Sequence, residues 1–291
     1  MHDFLQLTPI QQNILIASII GDGEITKLYN SRRKNHSYRE HFGIDQEEYR
    51  RWKVSFFNDL LYITHKSQCV RSSSLPLFTK LYPHFYHDDG SKHIPLSLLP
   101  YCTLPHFLSV LYMDDGSLCI SSQVNRQKKR IYLTPHIYLY LQCYPPHELQ
   151  QLQNHIFTHF GITFRLSKRP DGQGNILKTT SVKDTFLFLD AIAPVTYTCP
   201  SMYYKTNWNK RFNIEKQKWK NKFPDFQLLT SSSERVKPYS TGEIQLLKEM
   251  KQKGATIQEI ADALQRSYWS VVYKWREIKD KYGVHEKRDP R

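Results

Sequence analysis

No stretch of this 291-residue chain supplies the roughly 18 consecutive apolar residues that a membrane-spanning helix needs, so a membrane is not an expected partner. The opening residues, MHDFLQLTPIQQ, lack a basic segment followed by an apolar run, and no secretory leader is expected. Cysteine is sparse. The five present (Cys69, Cys102, Cys119, Cys143, Cys199) form no CxxC pair and make an odd total, which fits free thiols in the cytoplasm and not a disulfide framework. There is no Gly-rich phosphate loop and no Ser-His-Asp set. His155 and His159 stand four apart, but no third ligand or HExxH pattern accompanies them, so they read as packing or surface histidines. Acidic residues are also short. Against 41 Lys and Arg stand 27 Asp and Glu, a formal charge of +14 with a pI near 9.4. That excess favours a polyanion, with nucleic acid first. What the chain does have is apolar bulk, 40% hydrophobic with 15 Phe and 19 Tyr, enough to bury a sizeable core.

Two segments resemble each other at a spacing of about 90 residues: LIASIIGDG at 15–23 and LSVLYMDDG at 108–116. Each is a largely apolar helical run that stops at Asp-Gly. Each is followed by an expected hairpin around a basic loop, at 24–44 and 117–143. A helix then follows, the first from the box Asp45-Gln-Glu-Glu48 with Asp45 as N-cap, the second from near Pro145 to Phe160. Strand pairs at 64–74 and 161–180 and closing helices near 75–84 and 182–192 complete an αββαββα unit, made twice. Residues 204–238 read as a basic linker with a flexible joint at 230–233. Residues 239–285 read as three short helices in helix-turn-helix order, with Ser/Thr-x-x-Glu boxes at Ser240 and Thr256. The expected fold class is thus α+β: subdomains at 5–100 and 101–203 related by a pseudo-two-fold, and a small all-α unit.

Small residues four apart, Ala17 and Gly21, allow the second run to pack closely on the first, which brings Asp22 and Asp115 together. A carboxylate at a helix C-terminus is disfavoured by the macrodipole, and two facing carboxylates repel. Stability alone does not select this arrangement. Divalent cations relieve both penalties, and paired carboxylates beside phosphates are what metal-assisted phosphodiester cleavage requires.

With these two runs, their spacing, and the stretches KHIP at 92–95 and PSMYYK at 200–205, the sequence resembles the LAGLIDADG homing endonucleases over roughly residues 5–210. The resemblance implies a saddle of two four-stranded sheets in the DNA major groove and double-strand cleavage of a long site. It implies two or three Mg²⁺ (or Mn²⁺) ions held by Asp22 and Asp115. It also places Lys92 and Lys205, one per half, near the catalytic centre, with Gln46 a candidate for the water shell. Asp114 departs from the small Gly21 at the matching position. Asp115, which aligns with Asp22, is the expected ligand.

The expected DNA contacts are the hairpin bases Lys27, Arg32, Arg33, Lys34 and Arg39 in the first half and Arg126, Lys128, Lys129 and Arg130 in the second. Arg71, Lys168 and Arg169 on later strands extend the set, together with Arg165 and Lys178. In the C-terminal unit Arg266, Ser267, Tyr268, Ser270 and Lys274 are placed at the entry of a recognition helix. The expected partner is double-stranded DNA, bound by a monomer in the cytoplasm or nucleoid. Intron RNA on the same scaffold and a catalytically silent regulator are the alternatives.

Overall fold

The computed structural model describes residues 3–28, 34–169, 171–230, 239–266 and 268–282. Two compact units divide the chain, 1–233 and 234–291.

In the first unit, α1 (Pro9–Ile20) starts from Thr8, whose hydroxyl accepts from Gln11 N while the Gln11 side chain accepts from Thr8 N. Every residue from 12 to 20 is buried, so this helix has no polar face and must lie in the core. The strands β1 (Glu24–Ile25) and β2 (Tyr38–His41) follow, then α2 (Glu47–Val54), β3 (Tyr62–Thr64), β4 (Cys69–Arg71) and α3 (Pro76–Phe85). The second half repeats the order with α4 (Pro105–Asp115), β5 (Gly116–Asn125), β6 (Arg130–Leu139), α5 (Pro146–Phe160), β7 (Phe164–Lys168), β8 (Asn175–Thr179) and α6 (Val182–Thr196). Both sheets are antiparallel along the main path and share one strand order, β1-β2-β4-β3 and β5-β6-β8-β7. The duplicated αββαββα architecture is therefore present.

The central helices α1 and α4 pack against each other. Asn13 is fully buried at this seam and satisfies both amide groups: its Nδ2 donates to Pro9 O and Tyr101 O, and its Oδ1 accepts from Leu104 N at 3.0 Å. One apolar cluster runs through both halves, from Ile14 and Ile19 to Leu108, Leu139 and Phe188.

Two expectations are corrected. Asp45 is not an N-cap: it lies inside a short 3-10 turn, Ile44–Gln46, and α2 begins at Glu47 after Gln46, without a side-chain cap. Residues 204–230 are not a loose linker. They form α7 (Tyr203–Thr206), α8 (Trp208–Lys222) and β9 (Gln227–Thr230). β9 pairs parallel with residues 130–133 of β6. Phe212, Trp208, Trp219 and Phe223 of this segment pack on Ile131 and Leu133, the core-facing side of the same strand. The stripe at 208, 212, 219 and 223 follows helical spacing, and it buries aromatic area that outweighs the polar composition. Residues 231–238 lie outside the described residues.

The second unit holds α9 (Thr241–Gln252), α10 (Ile257–Ala263) and α11 (Tyr268–Tyr282). Ser240 and Thr256 both form complete capping boxes, with Glu243 and Glu259. Leu247, Ile260, Ala261, Val271 and Ile278 make its core.

Candidate active site

The site is built from the ends of α1 and α4. Gly21 caps α1, and a Cβ added there would meet the Asp114 Cβ at 2.9 Å and an Asp115 carboxylate oxygen at 3.2 Å. The glycine is needed for space, since its φ is negative (−84°). The same holds at Gly116, where a Cβ would overlap Tyr112. This close approach lets carboxylates of the second half reach across to the first.

The close packing at Gly21 sets an Asp115 oxygen beside the end of α1, near enough to Asp22 for the two charges to interact. Asp115 is largely buried. Its carboxyl is pushed up to about 7, first by burial and then by the charges of Asp114 and Asp22, with Lys205 and Lys92 opposing. Asp22 is 35% exposed, and its Oδ2 accepts from Arg50 Nη2 at 2.6 Å.

Lys92 and Lys205 hold matching positions. Lys92 Nζ donates to the carbonyls of Ile19, Gly21 and Gly23 at 2.9, 3.1 and 2.7 Å. Lys205 Nζ donates to Met113 O and Asp114 O at 2.7 and 3.1 Å. Each ammonium therefore caps the negative end of one motif helix and offsets the dipole that disfavours the adjacent aspartate. Burial lowers the pKa of both lysines, against the pull of the surrounding carboxylates.

Asp114 is not a bystander. Its side chain is fully buried and bonded to the first half: Oδ2 to Lys53 Nζ at 2.8 Å, Oδ1 to Arg50 Nη1 at 3.2 Å and to Tyr49 Oη at 2.7 Å. Glu40, also buried, accepts from Lys53 Nζ at 2.7 Å and Tyr38 Oη at 2.6 Å. Arg50 Nε lies 3.0 Å from Glu40 Oε1, though without hydrogen-bond alignment. Burial opposes the Arg50 charge, but Glu40 and Asp114 outweigh it and raise its pKa. For Asp114, burial works upward while Lys53 and Arg50 win and hold it down.

Glu40, Arg50 and Lys53 did not emerge from the sequence as site residues, yet signals for them exist. In β2, Tyr38 and Glu40 share one face by strand alternation, so a core Tyr38 carries Glu40 inward. In α2, EEYRRWKV has too few apolar residues to form a buried stripe without including cations. Asp22, Gln46, Arg50, Asp114 and Tyr204 line an open cleft of ≈ 750 Å³.

The expected DNA-contact residues separate into groups. Arg126, Lys128, Lys129 and Arg130 are exposed at the tip of the long β5–β6 ribbon, whose turn is fixed by Lys128 N donating to Asn125 Oδ1. Lys27, Lys34, Arg71 and Lys168 are exposed too, and Arg71 stands opposite Arg39 on the outer face of the first sheet. Arg165 and Lys178 pair across β7 and β8 on the face that carries Tyr138. Arg32, Arg33 and Ser267 lie outside the described residues. Others have partners within the protein. Arg39 is ion-paired with Glu24 across the hairpin, and Arg169 with Asp171 at 2.5 Å. Arg266 is turned into its own unit: it bonds Glu243 at 2.8 Å and stacks 4.0 Å over Tyr239. Ser270 Oγ meets the Tyr239 hydroxyl at 3.2 Å, and Lys274 pairs with Glu277. Arg266, just before α11, and Ser270 and Lys274 on it all contact Tyr239, while Tyr268 and Tyr273 are exposed aromatic side chains of α11. His155 bonds Cys102 O at 2.8 Å, a packing role.

Duplicated αββαββα halves, a tight central helix pair and convergent aspartates at its end together define a two-motif α+β protein with a polar, basic strand surface. The sequence pattern of the LAGLIDADG DNA endonuclease family matches residues 12–186, and the chain belongs to that family. Protein RecA of Mycolicibacterium fallax is 25% identical over 203 residues, 68% of this chain and 46% of that protein. Protein RecA of Mycobacterium leprae (strain TN) is likewise 25% identical over 203 residues, 68% of this chain and 28% of that protein. The chain spans less than half the length of these curated relatives. Among solved structures, the homing endonuclease I-WcaI bound to its DNA recognition sequence shares the fold, with a TM-score of 0.52 and 22% identity over 69% of this chain and 87% of that one. Among the described residues no helix is long and apolar enough to cross a membrane.

Proposed function

We propose that this chain is a site-specific homing endonuclease that makes a metal-dependent double-strand break in a long DNA target. What supports this reading is the packing of the two motif helix ends, which sets Asp115 beside the end of α1 with its carboxyl raised to about 7 by burial and by the charges of Asp114 and Asp22. A metal-free protein gains nothing from such crowding. Two hard carboxylates, one of them short of a compensating charge, suit Mg²⁺ or Mn²⁺. Asp22 and Asp115 would hold the ions, which when bound supply an activated water and charge neutralisation at the scissile phosphate.

The chain's own residues do the rest. Lys92 and Lys205 hold the two helix ends in place. Arg50 keeps the exposed Asp22 carboxylate oriented at the cleft. The outer strand faces carry Arg71, Arg165 and Lys178, and the ribbon tip carries four bases, a suitable surface for major-groove edges and phosphates. Residues 5–100 and 101–203 act as the two recognition halves of a monomer. The three-helix unit adds affinity through linkage, with its exposed Tyr268 side in place of the expected Arg266 face.

The test is to select cleaved molecules from a randomised double-stranded DNA pool with Mg²⁺, then assay the recovered site. The unmodified chain should cut both strands only with divalent metal. Asp22→Asn and Asp115→Asn should each lose at least about 100-fold. Wild-type cutting by either variant would remove that aspartate from the mechanism, and metal-independent cutting would end the reading.

A further inference from the structure

Beneath the exposed Asp22 lies a buried set of charges confined to one side of the site. Arg50 and Lys53 contribute two positive charges; Glu40 and Asp114 contribute two negative, so the four sum to zero. All four side chains are at most 2% exposed. Asp22 is the fifth member and the one in contact with solvent. Arg50 is shared: Nη2 reaches Asp22 and Gln46 Oε1, Nη1 reaches Asp114, and Nε abuts Glu40. One carboxylate oxygen each from Asp22, Glu40 and Asp114 lies within 4.8 Å of the others.

This geometry divides the cation between two masters. If Arg50 had only Asp22 to pair with, the pair would close on itself and a metal ion would have to displace a guanidinium. Glu40 and Asp114 instead pull Arg50 from behind. We infer that Glu40, Asp114 and Lys53 form a neutral buried quartet with Arg50 that retains the guanidinium when Asp22 turns to a divalent cation, and so sets the cation affinity of the Asp22 side of the site. The inference rests on the reading of Asp22 as a cation ligand. The four members of the quartet are positioning residues. Asp114 belongs to the second motif helix yet serves the first half, which is why a carboxylate stands there in place of a small residue.

The quartet makes opposite predictions for two neighbouring substitutions. Asp114→Asn leaves the buried set at net +1, so Arg50 leans on Asp22 and competes with the metal. Lys53→Gln leaves it at net −1, so Arg50 is drawn away from Asp22 and the three carboxylates attract a cation more strongly. The measurement is Mn²⁺ binding to the full chain without DNA, by electron paramagnetic resonance of free Mn²⁺, with near-UV circular dichroism to confirm the native fold. Asp114→Asn should weaken binding at least fivefold, and Lys53→Gln should tighten it at least threefold. Glu40→Gln imposes the same charge change as Asp114→Asn from the other side of Arg50, and serves if that variant fails to fold. Adding Arg50→Gln to Asp114→Asn should return the affinity to within about twofold of the unmodified chain. Shifts in the same direction for Asp114→Asn and Lys53→Gln, or no recovery in the double variant, would overturn the inference and leave the quartet merely structural. Absence of Mn²⁺ binding by the unmodified chain at millimolar concentration would be a different failure: it would sink the metal reading itself, and the inference with it.

Discussion

The two halves of the first unit share an element order and a strand order, but they differ in what supports their motif helices. Under α1 the first half buries ions: Arg50 and Lys53 of α2, Glu40 of β2, and Asp114 borrowed from across the seam. Under α4 the second half buries rings. Tyr112 packs edge-on to Phe188, which packs edge-on to Phe164. Its matching helix, α5, carries a lone buried carboxylate, Glu148, which accepts from Ile94 N at 2.7 Å. Each half still delivers one aspartate and one lysine cap to the same place. A duplicated motif thus preserves where the chemistry is presented without preserving how it is held.

Four measurements bear on that contrast. The largest effect is expected from Arg50→Met, which leaves Lys53 as the one buried cation against the two carboxylates of Glu40 and Asp114; breaking a buried pair from one side costs about 3–5 kcal/mol. Glu148→Gln in the second half should cost about 1–3 kcal/mol, since a single charged hydrogen bond is altered. Urea unfolding of both variants compares them, and equal losses would erase the distinction between ionic and apolar support. Next comes Phe212→Ala in α8, buried against Ile131 and Leu133, with a loss of about 3 kcal/mol in the same assay. A loss under 0.5 kcal/mol would return residues 204–230 to the status of a linker.

A smaller effect separates the two aspartates by sign. A carboxyl whose folded pKa lies above its unfolded value favours folding fully only below the unfolded value, near 3.8, and that benefit is gone once pH passes about 7. Metal-free Asp115→Asn should therefore melt higher than the unmodified chain at pH 8, by roughly 2–4 °C for each kcal/mol relieved, with the gap narrowing toward pH 5. Asp22→Asn removes an ion-pair partner of Arg50 and should melt lower at pH 8. Calorimetric scans at the two pH values decide, and a gain for both variants would show the aspartates to be equivalent. The smallest effect is expected from Arg266→Ala. Its pairing with Glu243 makes it a brace, so the second unit should melt slightly lower while affinity for the selected DNA changes less than twofold. A tenfold affinity loss with unchanged melting would restore its expected place on DNA.

Much of this was legible in the sequence. Two apolar runs ending in Asp-Gly located the central helix pair and the candidate site at its end, because a helix with no polar face belongs in the core. The capping boxes at Ser240 and Thr256 located the small unit's helices. What escaped depended on partners distant in sequence. Arg50 and Lys53 sit in a helix rich in charge and read as solvated until Asp114, more than 60 positions away, arrives to neutralise them. Arg266, Ser270 and Lys274 look like a reading face on a helical wheel until Tyr239 covers it. The α8 aromatics were overshadowed by the lysines between them.

Strand β9 has a bearing on how short this protein can be made. β8 reaches only residues 138–139 of β6, and β9 takes up the hydrogen-bonding edge at 130–133. Cutting the chain after residue 203 would bare that rim together with the apolar side of Ile131 and Leu133, a template on which further copies could stack. The smallest piece that stays monodisperse should therefore end beyond Thr230, not at the last residue of the second repeat.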